Sequence, residues 1–271
     1  MNQPIGILDS GVGGLTVLRQ ALQDFPNESM VYIGDNARCP YGVRSADEIS
    51  QYTHELVQFL LTFDIKLLII ACNTATAVAF DELQAKLDIP VVGVVAPGAR
   101  LAEQLTENGR IIVAGTEATI ASGIYEQHLL SLDPTLDVYG VECSELVPLV
   151  ENPNTKPEDL KKQIATCLGP VSDVDADTLI LGCTHFPLIR KEFQNYLGRS
   201  VRLIDAGRAA TQDVKRQLKA NHIENVTDPE PFVDFYTTGD PVEFQQVAKR
   251  WLDRDIYVQP VAVADLTREG R

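Results

Sequence analysis

Positive charge is scarce in this chain of 271 residues: Lys and Arg number 23 against 38 Asp and Glu, for a formal net charge of −15. With an isoelectric point near 4.6, such a surface repels phosphate backbones and anionic lipid, so nucleic acid and membrane surfaces are poor partners. Long apolar runs are missing too. The longest, such as Leu67–Cys72 and Val91–Pro97, fall far short of the ~20 residues that a membrane-spanning helix needs. Met1-Asn2-Gln3-Pro4 lacks a basic targeting region and runs straight into a strand-like segment, which points to a soluble cytoplasmic protein. Cysteine is sparse and scattered: Cys39, Cys72, Cys143, Cys167 and Cys183 are odd in number, and no two form C-x-x-C. That excludes a disulfide framework and argues against a zinc ribbon or a dithiol redox site. There is no phosphate-binding G-x-x-x-x-G-K-[ST]. Gly11-Val12-Gly13-Gly14 does not complete G-x-G-x-x-G, because the third position falls on Thr16. A nucleotide site is unsupported.

What is present is an ordinary globular composition, 45% apolar and 23% charged, in a chain long enough for one large domain or two ordinary ones. Strand-like runs at Ile5–Asp9, Met30–Gly34, Leu67–Cys72, Val91–Val95, Ile111–Gly115, Val138–Cys143, Leu179–Cys183, Val201–Asp205 and Phe235–Thr238 alternate with helical patterns. The helical stretches are Leu15–Gln23, Ala46–Phe63, Thr76–Leu87, Gly98–Asn108, Glu117–Leu130, Pro157–Leu168 and Ala209–Asn221. Several strands are unbroken apolar runs, as strands covered on both faces are, so an α/β fold with mainly parallel sheets is expected. Asn152–Pro157 and Asp228–Pro231 read as loops.

Ile65–Thr74 lines up with Thr178–His185: in each, an apolar strand ends in a small residue, then a cysteine, then small polar groups. This is either the common look of buried strands or the trace of two related halves, each with a thiol at a strand's carboxyl end, where α/β sheets bind ligands. Pro90–Gly98 and Asp205–Arg208 are then the crossovers between halves. The segment holding Phe235–Thr238 and Phe244–Trp251 returns to the first. The expected architecture is two similar doubly wound domains, 1–96 plus 208–271 carrying Cys72 and 97–207 carrying Cys183, with the active site in the cleft between them.

Three segments can carry chemistry. Asp9-Ser10-Gly11-Val12-Gly13-Gly14 is either a tight turn capped by Asp9 or an approach for an anion to backbone N–H groups. Cys72-Asn73-Thr74 places a thiol ahead of a helix N-terminus, where a lowered pKa is expected. Gly182-Cys183-Thr184-His185 repeats that arrangement and adds an imidazole that either shuttles a proton or caps the helix. Zinc on Cys72, Cys183 and His185 would have only three ligands without the usual spacing. A single Cys/His/Asn nucleophile would leave the second thiol without a task. Cys143 and Cys167 read as buried and Cys39 as shaping its loop. His54, His128 and His222 read as surface groups, and Trp251 as packing or a subunit contact.

Together and in this order, these segments resemble the glutamate racemase family of the aspartate/glutamate racemase superfamily. Arg38-Cys39-Pro40-Tyr41-Gly42 after Gly34-Asp35, and Glu145-Leu146-Val147-Pro148-Leu149-Val150-Glu151, belong to the same pattern. His185 stands where aspartate racemases carry Glu. The resemblance implies interconversion of L- and D-glutamate for peptidoglycan synthesis in a homodimer, without pyridoxal phosphate, metal or any other cofactor. It implies Cys72 and Cys183 as the acid/base pair, Asp9 supporting Cys72, and His185 backed by Glu151 supporting Cys183. It further implies a substrate site lined by Asp9, Ser10, Tyr41, Gly42, Asn73, Thr74, Thr184 and His185. Since Arg38 and Arg44 are the only cations near these segments, both substrate carboxylates are expected to rest mainly on neutral donors. A racemase of aspartate on the same scaffold, or a noncatalytic amino-acid-binding protein, are the alternatives. A metallohydrolase is a more distant one.

Overall fold

The unbroken apolar runs are the centres of two sheets. In chain order, the computed structural model, which describes residues 3–225 and 230–267, opens with β1 (Ile5–Asp9), α1 (Leu15–Asp24), β2 (Met30–Gly34) and α2 (Ala46–Leu61). Next come β3 (Leu67–Ile70), α3 (Asn73–Lys86), β4 (Val91–Gly93), α4 (Val95–Leu105), β5 (Arg110–Gly115), α5 (Glu117–Ala121) and α6 (Ile124–Leu132). β6 (Asp137–Glu142), α7 (Leu146–Glu151), α8 (Pro157–Leu168), β7 (Thr178–Gly182), α9 (Arg190–Leu197) and β8 (Arg202–Asp205) follow. The chain ends with α10 (Ala206–Ala220), β9 (Val233–Thr237), α11 (Pro241–Leu252) and β10 (Val258–Pro260). Among the described residues the strands form a six-stranded sheet, β10-β9-β2-β1-β3-β4, and a four-stranded sheet, β6-β5-β7-β8. Every pairing is parallel.

Parallel strands need helical crossovers, and these cover both faces of each sheet. In β3, Leu67 and Ile69 enter one core while Leu68 and Ile70 enter another on the opposite face. β7 divides the same way, with Leu179 and Leu181 on one side and Ile180 on the other. Each such side chain contributes about 1.5–3 kcal/mol of burial, which is why no polar alternation survives in the central strands. The edge strand β6 is exposed or half-buried along its length except at Val141. The chain passes between sheets through α4 and α10, which pack so closely that a Cβ on Gly98 would lie 3.0 Å from Ala206.

Element ends depart from the sequence reading where proline or glycine intervenes. α4 begins at Val95, not Gly98, because Pro97 sits in the first turn, where its missing N–H is not needed. That ends the Val91–Val95 strand at Gly93. The same allowance for Pro148 produces the unexpected α7. The helix expected over Glu117–Leu130 is two helices, since Gly123 takes a left-handed φ of 65° between α5 and α6. α3 starts at Asn73 instead of Thr76, with Cys72 as its cap, so the strand expected over Leu67–Cys72 stops at Ile70. After Cys183 there is no α-helix directly but a 3-10 turn, Phe186–Ile189, followed by α9. β10 went unrecognised; it is a short edge strand, the place where Pro260 is tolerated. The loop expected at Asp228–Pro231 and the Met1–Pro4 segment fall partly outside the described residues.

Beneath the six-stranded sheet lies a buried ion pair, Lys66 Nζ to Glu28 Oε2 at 2.5 Å. Lys66 also donates to the Ile223 carbonyl, and Glu28 Oε1 accepts from the Asn225 N–H, each at 2.7 Å. Removing one charge leaves its partner uncompensated. Lys66→Met should therefore lower stability by about 3–5 kcal/mol. Lys66→Met with Glu28→Leu should recover most of that, read from urea unfolding midpoints.

Candidate active site

Carboxyl ends of β1, β2 and β3 from one sheet, and of β5 and β7 from the other, meet around a narrow cleft. Ser10, Tyr41, Gly42, Cys72, Asn73 and Thr74 line it from the first sheet, and Cys183, Thr184 and His185 from the second. Both thiols are buried, Cys72 at 5% and Cys183 at 7% exposure.

Cys72 caps α3. Its Sγ accepts from the Ala75 N–H at 3.4 Å and donates to Ser10 Oγ at 3.6 Å. The lowered pKa expected at a helix N-terminus is not found. Burial pushes the thiol up to about 12, the negative field of Asp9 adds to that, and the Ala75 and Ser10 contacts offset only part. Burial wins because a thiolate here loses more hydration than one amide and one hydroxyl return.

Cys183 has a different partner. Its Sγ lies 3.7 Å from His185 Nδ1, and His185 Nε2 lies 2.8 Å from Glu151 Oε1 at the end of α7. Burial disfavours the imidazolium, but hydrogen bonds to Cys183 and Glu151 outweigh it and hold His185 at about 10. The Trp251 ring on α11 meets His185 edge-on, with centroids 5.7 Å apart. Trp251 is thus core packing that abuts the site.

Asp9 sits behind the wall, not in it. Its Oδ2 accepts from the Gly11 N–H at 3.1 Å, and Oδ1 has no hydrogen-bond partner among the described residues. Burial raises this carboxyl against the opposing field of His185 and the N–H groups of Gly14 and Gly11. No hydrogen bond joins Asp9 to Cys72 among the described residues; Asp9 acts on that thiol through its field.

The glycines of the first loop allow close approach. A Cβ on Gly13 would lie 2.2 Å from Thr184 Oγ1 and 2.6 Å from His185, and one on Gly42 would lie 2.6 Å from Thr116. Thr16 Oγ1 donates to the Thr184 carbonyl at 3.0 Å, tying that loop to the second sheet. Tyr41 is held by its hydroxyl, which donates to Asp35 Oδ2 at 2.5 Å, while Arg38 Nε donates to the same oxygen at 2.7 Å. Arg38 also pairs with Glu55, and Arg44 lies 3.8 Å from Glu48, so neither arginine lines the cleft. Among the lining residues His185 is the only cationic group.

Sequence reading missed Thr116, Thr119 and Tyr125. Thr74, Thr116 and Thr119 form a triangle of hydroxyls with edges of 2.9, 3.0 and 3.0 Å, joining α3 to the end of β5. Gly115-Thr116 has the small-then-polar signature of the two cysteine segments and could have been found by it. Cys39 also lines the cleft, with its thiol pushed up by burial, while Cys143 and Cys167 are buried in the core of the four-stranded sheet. His54 and His128 are partly buried and His222 is exposed. Among the described residues no group of three or more His, Cys, Asp or Glu could hold a metal ion. No described helix is long and apolar enough to cross a membrane.

A family model described as Asp/Glu/Hydantoin racemase matches residues 8–214. Together with the fold, that match makes the protein an isomerase of the racemase kind on two parallel α/β sheets. A glutamate racemase of Streptococcus pneumoniae is 46% identical over 261 residues, 96% of this chain and 98% of that protein. A crystal structure of a Bacillus anthracis glutamate racemase isoform superposes with a TM-score of 0.93 at 42% identity, covering 96% of this chain and 97% of that one. A Francisella tularensis glutamate racemase in complex with D-glutamate gives 0.90 at 33% identity, covering 97% and 98%. The chain belongs to the Asp/Glu/hydantoin racemase family.

The His185 environment makes a prediction about stability and pH. Because its folded pKa lies above the ordinary value, the linked stability is fully present below about 6.5 and is lost as pH rises through about 10. Thermal unfolding between these limits should show the native protein losing on the order of a few kcal/mol that His185→Asn does not lose. Parallel profiles for the two proteins would contradict the assignment.

Proposed function

We propose that the protein interconverts L- and D-glutamate by a two-base mechanism, without a cofactor, with Cys72 and Cys183 on opposite faces of the α-carbon. The observation that carries this reading is the arrival of two buried thiols, from strand ends of two different sheets, on one cleft. Racemisation needs a base on one side and an acid on the other, and two neighbours in sequence could not flank one carbon. The sheets support the matching division of the chain into 1–96 plus 208–271 and 97–207, with the cleft between them.

The α-proton of an amino acid is a very weak acid, so the developing carbanion must be stabilised strongly. Thr74, Thr184, Ser10 and Asn73 supply neutral donors to the carboxylates, and burial strengthens each of those bonds. On one side, Cys183 has His185 as proton partner, and Glu151 holds the ring from behind. On the other, Cys72 rests as a thiol ready to give its proton, stabilised after proton loss by Ala75 N–H and Ser10. Asp9 supports the Cys72 side through its field. Its negative charge beside a cleft that receives an ammonium group is favourable when substrate is bound. Similarity to glutamate racemases motivates glutamate as substrate, supply of D-glutamate to peptidoglycan, a cytoplasmic setting and a homodimer.

In D2O with L-glutamate and no added cofactor, loss of the α-proton NMR signal should accompany decay of optical activity to zero. Cys72→Ser or Cys183→Ser alone should slow racemisation at least ~100-fold. Normal racemisation by both single variants would sink the two-thiol mechanism. Exchange with aspartate alone would keep the mechanism and change the substrate.

A further inference from the structure

Tyr125 lies outside the cleft, yet it touches the residue next to each thiol. It occupies the first turn of α6, buried, where the left-handed Gly123 redirects the chain after α5. Its hydroxyl donates to Asn73 Oδ1 at 2.6 Å, across from the four-stranded sheet's side to the residue following Cys72. Its ring backs Gly182, the residue preceding Cys183: a Cβ on Gly182 would lie 3.4 Å from Tyr125 Cε2. The hydroxyl is also confined by α4, 3.5 Å from where a Cβ on Gly98 would stand.

These contacts give Tyr125 two tasks. A phenol in this pocket stays protonated, since burial and the nearby Asp205 charge oppose its ionisation. It therefore donates, and only Oδ1 of an amide can accept. The bond fixes which way Asn73 faces: Oδ1 is held toward Tyr125, and Nδ2 makes no hydrogen bond among the described residues and is left as a donor for the cleft that Asn73 lines. Meanwhile the ring sets how near the Gly182–Cys183 strand end comes to α3. We infer that Tyr125 is a positioning residue for racemisation, locking the Asn73 amide in its substrate-binding orientation and bracing the second thiol's strand end against the first. This rests on the two-thiol reading proposed above.

The test is a double-mutant cycle under steady-state kinetics with L-glutamate. Tyr125→Phe keeps the ring and removes the donor, so it should raise KM about 10-fold while kcat stays within about 2-fold, as loss of one buried bond to a binding group requires. In an Asn73→Ala background the same substitution should change KM less than about 2-fold, because its target is gone. An unchanged KM for Tyr125→Phe, or equal losses in both backgrounds, would overturn the proposal. Independent of any substitution, the Asn73 side-chain NH2 signals of the 15N-labelled native protein should shift on adding D-glutamate; unshifted signals would also overturn it. A native protein that does not racemise glutamate would refute the proposed function itself. An active native protein with an indifferent Tyr125→Phe refutes only the role of Tyr125.

Discussion

Everything in this site depends on two sheet ends meeting with almost nothing between them. The meeting is made possible at Gly13, which lies against Thr184 and His185, and at Gly42, which lies against Thr116. Any side chain at either position would drive a wedge between strand ends carrying Cys72 and Cys183. Hydroxyls then fasten the contact: Thr16 to the Thr184 carbonyl, and the Thr74, Thr116 and Thr119 triangle. Neutral groups suit this role. A charge at the seam would have to be desolvated each time the cleft formed, whereas a hydroxyl exchanges one hydrogen bond for another.

Close approach also sets the electrostatics. Excluding water raises Cys72 and Asp9 together, since neither anion is compensated by a cation in direct contact. The positive charge of the site sits instead on His185, paired through Glu151 and facing Cys183. The two thiols therefore stand in unlike environments despite their matching places on matching strands. One has a cationic proton partner; the other has a hydroxyl, an amide and a distant carboxylate. On the two-base reading proposed above, a reaction that runs in both directions across one carbon does not require its two bases to be alike. It requires that each complementary protonation state be reachable.

Much of this is legible in the sequence. Buried parallel strands announce themselves as unbroken apolar runs, so β1 and β2 were read to the residue and β7 to within one. The two thiols were legible because small-Cys-polar follows such a run twice. Asn73, Thr74, Thr184 and His185 came with them as immediate neighbours. Other features depend on relations that no local pattern encodes. Nothing in the local pattern singles out Tyr125, and Trp251 reads as packing or a subunit contact; only the fold shows that their far ends reach Asn73 and His185. Pro97 and Pro148 read as breaks but sit where a helix tolerates them. Cys72 does stand at a helix N-terminus, as its sequence neighbours suggest, yet the direction in which its thiol shifts is decided by burial, a property of the whole assembly.

Asp9 shows what that burial is for. Its Oδ1 has no hydrogen-bond partner among the described residues, and its Oδ2 accepts from the Gly11 N–H, so the N–H groups of Gly14 and Gly11 and the field of His185 offset the burial of this carboxyl only in part. Stability alone would favour an uncharged residue there. A buried, under-satisfied carboxylate next to a cleft is costly when the site is empty and useful when a cation enters it. The ammonium group of an amino acid is such a cation. On the reading proposed above, its arrival would act on the buried Asp9 through its field while the neutral donors around Thr74 and Thr184 take the carboxylates. Charges of both signs in the ligand are, on that same reading, met by a site that carries little fixed charge of its own, and the α-carbon lies between two thiols.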